Sequence, residues 1–206
     1  MHPRHVDDDL RDTRSSTYAE RLRKKEHAPW KQLLRVQAPY RWNLRRQHLG
    51  RTLDLGCGIG RNLEVLSGDS IGVDHNEEAV KTVRTRGLTA YTSDEWRAIQ
   101  AQYVEAFDGL LVAHVIEHML PADAHSLIRD HLKFIRPGGR IFFVCPQERG
   151  YASDPTHIAY TTGADLAALA RSVGLEPAQP FSFPLPRMFG RFFTYNEFCL
   201  LANKPA

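Results

Sequence analysis

The sequence of 206 residues has no apolar run long enough to cross a bilayer, since a spanning helix needs about 20 apolar residues. Its longest apolar stretches, such as IFFVC at 141–145, have the length of a buried strand. The opening residues MHPRHVDDDL also lack the apolar core of a secretory signal. These absences predict a cytoplasmic protein without a membrane span.

Cysteine is scarce as well. The three cysteines are an odd number, and no two of them have the spacing of metal ligands. Cys145 and Cys199 lie in apolar, strand-like runs, which indicates small core residues. Cys57 lies in a glycine-rich stretch. A reducing cytoplasm fits this pattern best.

Charge is distributed unevenly along the chain. Residues 1–50 carry 12 Lys and Arg against 6 Asp and Glu, and the remaining residues carry 15 against 18. A basic head could attract an anionic substrate, a nucleic acid or an acidic partner, but a solvated helical cap is the interpretation we favour. There is no RNA-recognition motif and no basic patch interleaved with aromatics, so a nucleic-acid partner is disfavoured.

Hydrophobic periodicity divides the chain into three parts. Residues 1–15 predict a flexible tail, 16–49 a helical cap in which Pro39 kinks or ends a helix, and 50–206 a single domain. In that domain, predicted strands alternate with predicted helices. The strands lie at 51–55, 70–74, 88–92, 107–115, 140–146, 176–183 and 192–203, and the helices at 61–66, 76–87, 94–102, 121–135 and 162–174.

This alternation predicts an α/β fold: a Rossmann-like, doubly wound sheet of seven mostly parallel strands with helices on both faces and an N-terminal helical extension. Ligands of such sheets bind beyond the carboxyl ends of the strands. The rule selects the loops that follow Leu55, Asp74, Thr92, Ala113 and Cys145.

A glycine-rich turn follows the first strand. Gly56, Gly58 and Gly60 alternate there, and Asp74 ends the next strand 18 residues after Gly56. The dinucleotide fingerprint needs a third glycine where Arg61 stands, which counts against a diphosphate ligand. Asp54 would repel a diphosphate but could orient water or an ammonium group, and Asp74 could accept from two ribose hydroxyls. Each acid could instead cap a turn or helix, but their joint spacing favours ligand binding.

The motifs LDLGCGIGRNL, GVDHN, TSDEW, FDGLLVAHVIEHM and LKFIRPGGRIFFVCP occur in this order, followed by DPTHIAYTTGADLAALARSVGLEP. Together they resemble the class I S-adenosylmethionine-dependent methyltransferases, in particular the small-molecule branch with type 11 and type 23 domains. The resemblance covers residues 50–203 and implies S-adenosylmethionine as cofactor and S-adenosylhomocysteine as product. Residues 1–49 match no motif.

The resemblance also assigns roles by position. It implies that the methionine moiety contacts Gly56, Cys57, Gly58 and Gly60, and that its ammonium group lies near Asp54. The ribose would contact Asp74 and His75, and the adenine edge Ser93, Asp94 and Glu95. The sulfonium region would be lined by Ala113 and His114.

A hydroxyl acceptor usually needs a base or a metal to take its proton. Three histidines in predicted loops on the ligand side are candidate bases: His114, His118 and His157. His118 could instead be structural, and His157 could either pair with Asp154 or simply bond the backbone. An acid-rich site with His118 could admit Mg²⁺, but no ligand cluster has convincing spacing, so no metal is predicted.

We therefore expect methyl transfer to a small-molecule hydroxyl, for example on a saccharide, with a histidine as general base. N-methylation of a small amine by proximity alone is one alternative, and a non-catalytic cofactor-binding protein is another. Methylation of nucleic-acid bases is disfavoured because AHVIEHM stands where an Asn-Pro-Pro-Tyr-like loop would be expected. The sequence leaves monomer and homodimer equally open.

Overall fold

The computed structural model describes residues 37–206. The predicted tail and most of the predicted cap lie outside the described residues, so the proposed domain boundaries stay a prediction. The first described helix, α1, spans Ala38–Arg45. Pro39 lies in its first turn, where the N–H that proline lacks has no helical partner. The helix that Pro39 was predicted to kink or end lies mostly outside the described residues.

Eight strands form one sheet, in the order β3-β2-β1-β4-β5-β8-β6, with β7 also paired to β8. They are β1 (Thr52–Leu55), β2 (Ile71–Asp74), β3 (Ala90–Thr92), β4 (Phe107–Ala113), β5 (Ile135–Pro146), β6 (Glu176–Pro177), β7 (Phe181–Phe183) and β8 (Glu197–Asn203). The first five strands pair in parallel, and β8 pairs antiparallel with β5, β6 and β7. The predicted doubly wound α/β sheet is confirmed.

The sheet has one strand more than predicted because the run at 176–183 is split in two. Pro177 ends β6 and Pro180 precedes β7, and proline cannot donate to a strand ladder. β6 then pairs with the far end of β8, and β7 with its beginning.

Five further helices follow α1. They are α2 (Glu77–Thr85), α3 (Ser93–Ile99), α4 (Pro121–His131), α5 (Glu148–Tyr151) and α6 (Gly163–Ser172). The helix predicted at 61–66 is wrong, since these residues form turns. The Asn62 carbonyl accepts from the N–H of both Val65 and Leu66, which tightens the segment into a turn before Ser67 and Gly68 interrupt it.

The core lies on both faces of the sheet. On one face α3, α4 and α6 cover the strands, with Trp96, Ile128 and Leu166 fully or almost fully buried. On the other face α1 packs through Leu44 against β4, β5 and β8, and α2 packs against the glycine-rich loop. Helices on both faces are therefore confirmed. All three cysteines are buried free thiols. No helix within residues 37–206 is long and apolar enough to cross a membrane.

The capping box of α6 offers a test of local stability. The Thr162 hydroxyl accepts from the Asp165 N–H, and the Asp165 carboxylate accepts from the Thr162 N–H. We expect Thr162→Ala to lower the free energy of unfolding by about 1 kcal/mol, measured by urea titration, because the cap is lost. Thr162→Ser keeps the hydroxyl and should stay close to wild type. Equal urea midpoints for wild type and Thr162→Ala would contradict this role.

Candidate active site

The carboxyl ends of β1, β2, β4 and β5 meet at one edge of the sheet, and the glycine-rich loop lies there. Gly56, Gly58 and Gly60 have φ of 69°, 51° and 86°, a region that favours glycine. A Cβ at Gly56 would overlap Cγ2 of Val115, so this position also needs the absence of a side chain.

The loop keeps its own N–H groups satisfied. The N–H groups of Gly56 and Cys57 both donate to the Val73 carbonyl, at 2.8 and 3.2 Å. The Gly58 N–H donates to Asp74 Oδ2 at 2.8 Å, and the Gly60 N–H to the Cys57 carbonyl at 2.9 Å. A phosphate-binding loop turns such donors toward its ligand. This one does not, which agrees with the expectation of a ligand without a diphosphate.

Two acids lie next to this loop. Asp54 is fully buried, and within residues 37–206 neither of its carboxylate oxygens has a hydrogen-bond partner. Burial, and then the nearby charge of Asp74, raise the pKa of Asp54 well above its usual range. A buried carboxylate of this kind requires either a proton or a cation. The ammonium group of an amino-acid ligand is such a cation.

A cavity of about 690 Å³ opens at the ends of β1 and β2. Four of the predicted cofactor residues line it: Gly56, Asp74, His75 and Ser93. Trp96, Val115 and Met119, which the sequence analysis did not select, form apolar walls. The burial of Trp96 on the inner side of α3 is the signal that could have identified it.

Three predicted cofactor side chains point elsewhere. Cys57 packs into an apolar cluster with Leu63 and the residues of α2, so only its backbone faces the loop. Asp94 is 88% exposed and pairs with Arg97. Glu95 closes the capping box of α3 and pairs with Arg84, which holds its pKa below the usual range. The expected contact of Asp94 and Glu95 with adenine is therefore not supported, because both carboxylates serve α3.

His114 follows the last residue of β4, Ala113, and has a φ of 59°, which is uncommon outside glycine. Its Nδ1 lies 3.2 Å from Glu117 Oε1 and its Nε2 lies 3.0 Å from Glu197 Oε1. Desolvation alone would lower the pKa of His114, but the two carboxylates raise it to about 10. An imidazolium has no lone pair to accept a proton, so this environment disfavours the expected role of His114 as a base.

His118 and His157 lie together, with ring centroids 4.7 Å apart in an edge-to-face arrangement. His118 Nδ1 is 3.2 Å from the Thr156 carbonyl, and His157 Nδ1 is 2.8 Å from the Tyr151 carbonyl. A carbonyl only accepts, so each Nδ1 donates and each neutral ring keeps its lone pair at Nε2. Burial also lowers the pKa of His118, which favours its neutral form.

Of the two alternatives for His157, the structure shows the bond to the backbone, since Nδ1 lies 2.8 Å from the Tyr151 carbonyl. Asp154 Oδ1 accepts from the backbone N–H and the hydroxyl of Thr156, at 3.1 and 2.7 Å, which forms a local turn. The Glu117 carboxylate lies near the His157 ring, with Oε1 4.0 Å from Nε2.

Part of the chain is similar to known methyltransferases. Residues 53–143 match a family model described as a methyltransferase domain. The ubiquinone biosynthesis O-methyltransferase of Bordetella avium (strain 197N) is 27% identical over 153 residues, which are 62% of this chain and 63% of that protein. The chain thus spans less than two thirds of the length of this curated relative.

Solved structures share the fold at low identity. A SAM-dependent methyltransferase from Archaeoglobus fulgidus aligns with a TM-score of 0.65 at 20% identity, over 80% of this chain and 93% of that one. Magnesium protoporphyrin IX methyltransferase from Synechocystis PCC 6803, solved with bound SAM, aligns with a TM-score of 0.64 at 16% identity, over 99% of this chain and 100% of that one.

The family model covers fewer than half of the residues of the chain, and the solved structures share its fold. Both findings support the resemblance drawn from the motifs, over residues 53–143. The cavity at β1 and β2 lies at the carboxyl ends of the strands, where doubly wound folds bind their ligands.

Glu117 links the three candidate histidines. It is buried, and although burial alone would raise its pKa, the hydrogen bond from His114 holds the pKa of Glu117 below the usual range. Ligand atoms of Glu117, His118 and His157 all lie within 4.8 Å of one another, and among residues 37–206 this is the group that could hold a metal ion. Sequence spacing did not indicate it because His157 is 39 residues from His118.

The charge on His114 can be tested by pH. Its pKa is raised in the folded chain, so its contribution to stability is fully present below pH 6.5 and is lost as pH rises toward about 10. We expect the stability difference between wild type and His114→Asn, measured by urea unfolding, to shrink over that range. Asparagine is the chosen replacement because it tolerates positive φ. A difference independent of pH would contradict an imidazolium at this position.

Proposed function

We propose that this chain transfers the methyl group of S-adenosylmethionine to a hydroxyl of a small molecule, with His118 or His157 as the general base. The observation that carries the proposal is the pair of contacting rings whose Nε2 lone pairs are free to accept a proton, of which His118 lies in the turn between two residues of the cavity wall. Val115 and Met119, which line that cavity, flank the turn that carries His118.

The residues at the cavity suit this cofactor. When bound, it supplies a methyl group already activated by a sulfonium. The unpartnered Asp54 carboxylate would stabilise the ammonium group, Asp74 and His75 would hold the ribose, and Ser93 would lie at the adenine. The glycine-rich loop would make room for the methionine moiety, since it presents no side chain at Gly56. Ala113 would border the reacting region at the end of β4.

Because the methyl donor is already activated, the protein chiefly aligns the acceptor and excludes water. His118 or His157 would take the hydroxyl proton at Nε2. The buried Glu117 carboxylate would stabilise the imidazolium that results, since its Oε1 is 4.0 Å from His157 Nε2. Tyr151 stacks on His157 with centroids 5.3 Å apart and fixes the plane of that ring.

The acceptor class is the least constrained part of the proposal. The curated relative is named for O-methylation in ubiquinone biosynthesis, which supports a hydroxyl acceptor and gives no support to a saccharide. Tyr151 stacks on His157, and Tyr160 packs edge-on against Tyr151; this aromatic cluster favours a planar acceptor such as a phenol. A panel of phenols, saccharides and small amines, assayed by mass gain of the product, would distinguish O-methylation from the N-methylation alternative.

Cofactor binding can be tested with a matched pair of glycines. We expect Gly56→Ala to raise the dissociation constant for S-adenosylmethionine at least about tenfold, a change of about 1.4 kcal/mol. The reason is the overlap of the new Cβ with Val115 at the cavity wall. Gly87→Ala is the control, since Gly87 also has positive φ, 75°, but nothing lies within 4 Å of its Cβ position.

Isothermal titration calorimetry measures both variants. Wild type that binds no S-adenosylmethionine would overturn the proposal and favour a protein that has lost this activity. Equal weakening in Gly56→Ala and Gly87→Ala would show that strain in the backbone, and not the cavity wall, is responsible.

The base can be tested at neutral pH. We expect His118→Ala or His157→Ala to lower kcat about 10²-fold or more when that residue is the base, with cofactor affinity unchanged. Wild-type kcat in both variants would exclude a histidine base and favour transfer to an amine by proximity. EDTA should leave the wild-type rate unchanged; loss of activity that a divalent cation restores would assign Glu117, His118 and His157 to a metal instead.

A further inference from the structure

Three apolar side chains protrude from one short segment of the structure. Met188, Phe189 and Phe192 are 70%, 42% and 81% exposed. They lie on residues 187–192, which we call the apolar turn and which contains a 3₁₀ helix, Arg187–Arg191. Single exposed apolar residues are ordinary on protein surfaces, but a cluster of large ones usually marks an interaction site.

Buried polar side chains hold the apolar turn in place. Gln147 and Asn196 are fully buried, and Asn196 Nδ2 donates to Gln147 Oε1 at 2.9 Å. Gln147 Nε2 donates to the Ser182 hydroxyl at 2.6 Å, and Asn196 Oδ1 accepts from the Leu185 N–H at 2.9 Å. Gly190 packs so closely on Gln147 that a Cβ would overlap Gln147 Oε1. The apolar side chains therefore protrude from a rigid support, not from a loose loop.

The charges around the apolar turn are mainly positive. The acidic residues of α1, α5, β7 and β8 are Glu148, which pairs with Arg187, and Glu197, which bonds His114. Within residues 37–206 no ion pair involves Arg191, Arg45 or Arg46, which are exposed.

Helix α1 brings two of these arginines to the same side of the molecule. The Tyr40 hydroxyl donates to the Tyr195 carbonyl at 2.6 Å, which ties α1 to the segment that follows the apolar turn. Trp42 of α1 is 56% exposed as well. Exposed aromatics flanked by arginines match the chemistry of an anionic lipid–water interface, where rings enter the headgroup boundary and guanidinium groups contact phosphate.

We infer that the apolar turn docks this chain on an anionic lipid surface, with Met188, Phe189 and Phe192 inserted and Arg191 at the headgroups. The surface lies on the side of the sheet that carries the histidines, because Glu197, which bonds His114, follows the turn on β8. A docked chain would therefore face the lipid with the side that receives the methyl acceptor. Lipid binding itself requires neither cofactor nor acceptor.

The test uses the full chain and vesicles of phosphatidylcholine with or without phosphatidylglycerol, separated by flotation. We expect the wild type to bind the anionic vesicles, and salt to weaken that binding. The double variant Met188→Ser with Phe192→Ser should bind at least about tenfold more weakly, because the inserted apolar area is lost. Val104→Ser is the matched control: Val104 is 59% exposed but precedes β4 at the opposite edge of the sheet. Arg191→Glu should weaken binding to anionic vesicles without altering any core residue.

Several outcomes would overturn the inference. The inference is wrong if the wild type does not float with anionic vesicles at low salt. It is also wrong if the double variant binds the vesicles as tightly as Val104→Ser does. A concentration-dependent dimer that the double variant abolishes, without vesicle binding, would assign the turn to a second copy of this chain. If the wild type does not bind vesicles but a variant without residues 1–36 does, this segment covers the apolar turn in the intact chain.

Discussion

The Asp74 carboxylate accepts from two backbone N–H groups, those of Gly58 and Asn76, each at 2.8 Å. These bonds join the loop after β1 to the end of β2 and to the start of α2. Because β1 and β2 pair in parallel with Asp54 opposite Gly72, the two acids are brought to one end of the sheet. The shape of the cavity and the buried position of Asp54 both depend on this arrangement. Asp74 therefore has a structural task in addition to its proposed contact with the ribose.

Much of the fold could be predicted because the central strands are buried on both faces and form continuous apolar runs. The helices predicted at 76–87 and 162–174 are both present and begin at the capping side chains of Asn76 and Thr162. The errors fall where hydrogen bonds outside the local pattern decide the conformation. Residues 61–66, for example, form turns in place of a helix.

Less of the site could be predicted, since side-chain direction depends on tertiary packing. Gly56, Asp74 and Ser93 line the cavity because parallel strands place their carboxyl ends at one edge. Asp94 and Glu95 lie on the next turn of chain but point along α3 toward arginines. His114 and His118 are four residues apart, yet one lies between two carboxylates and the other against a carbonyl. No spacing rule in the sequence distinguishes those environments.

The absence of a helix after the glycine-rich loop has an electrostatic consequence. A helix beginning at residue 61 would place about half a positive charge behind the loop, whereas the turns there align only a few peptide units. The nearby carboxylates of Asp54 and Asp74 then dominate the local field. For the proposed reaction this field would attract the donor, whose sulfur is cationic, more strongly than the product, whose sulfur is neutral. Loss of the methyl group would thus weaken binding of the product and favour its exchange for a new donor.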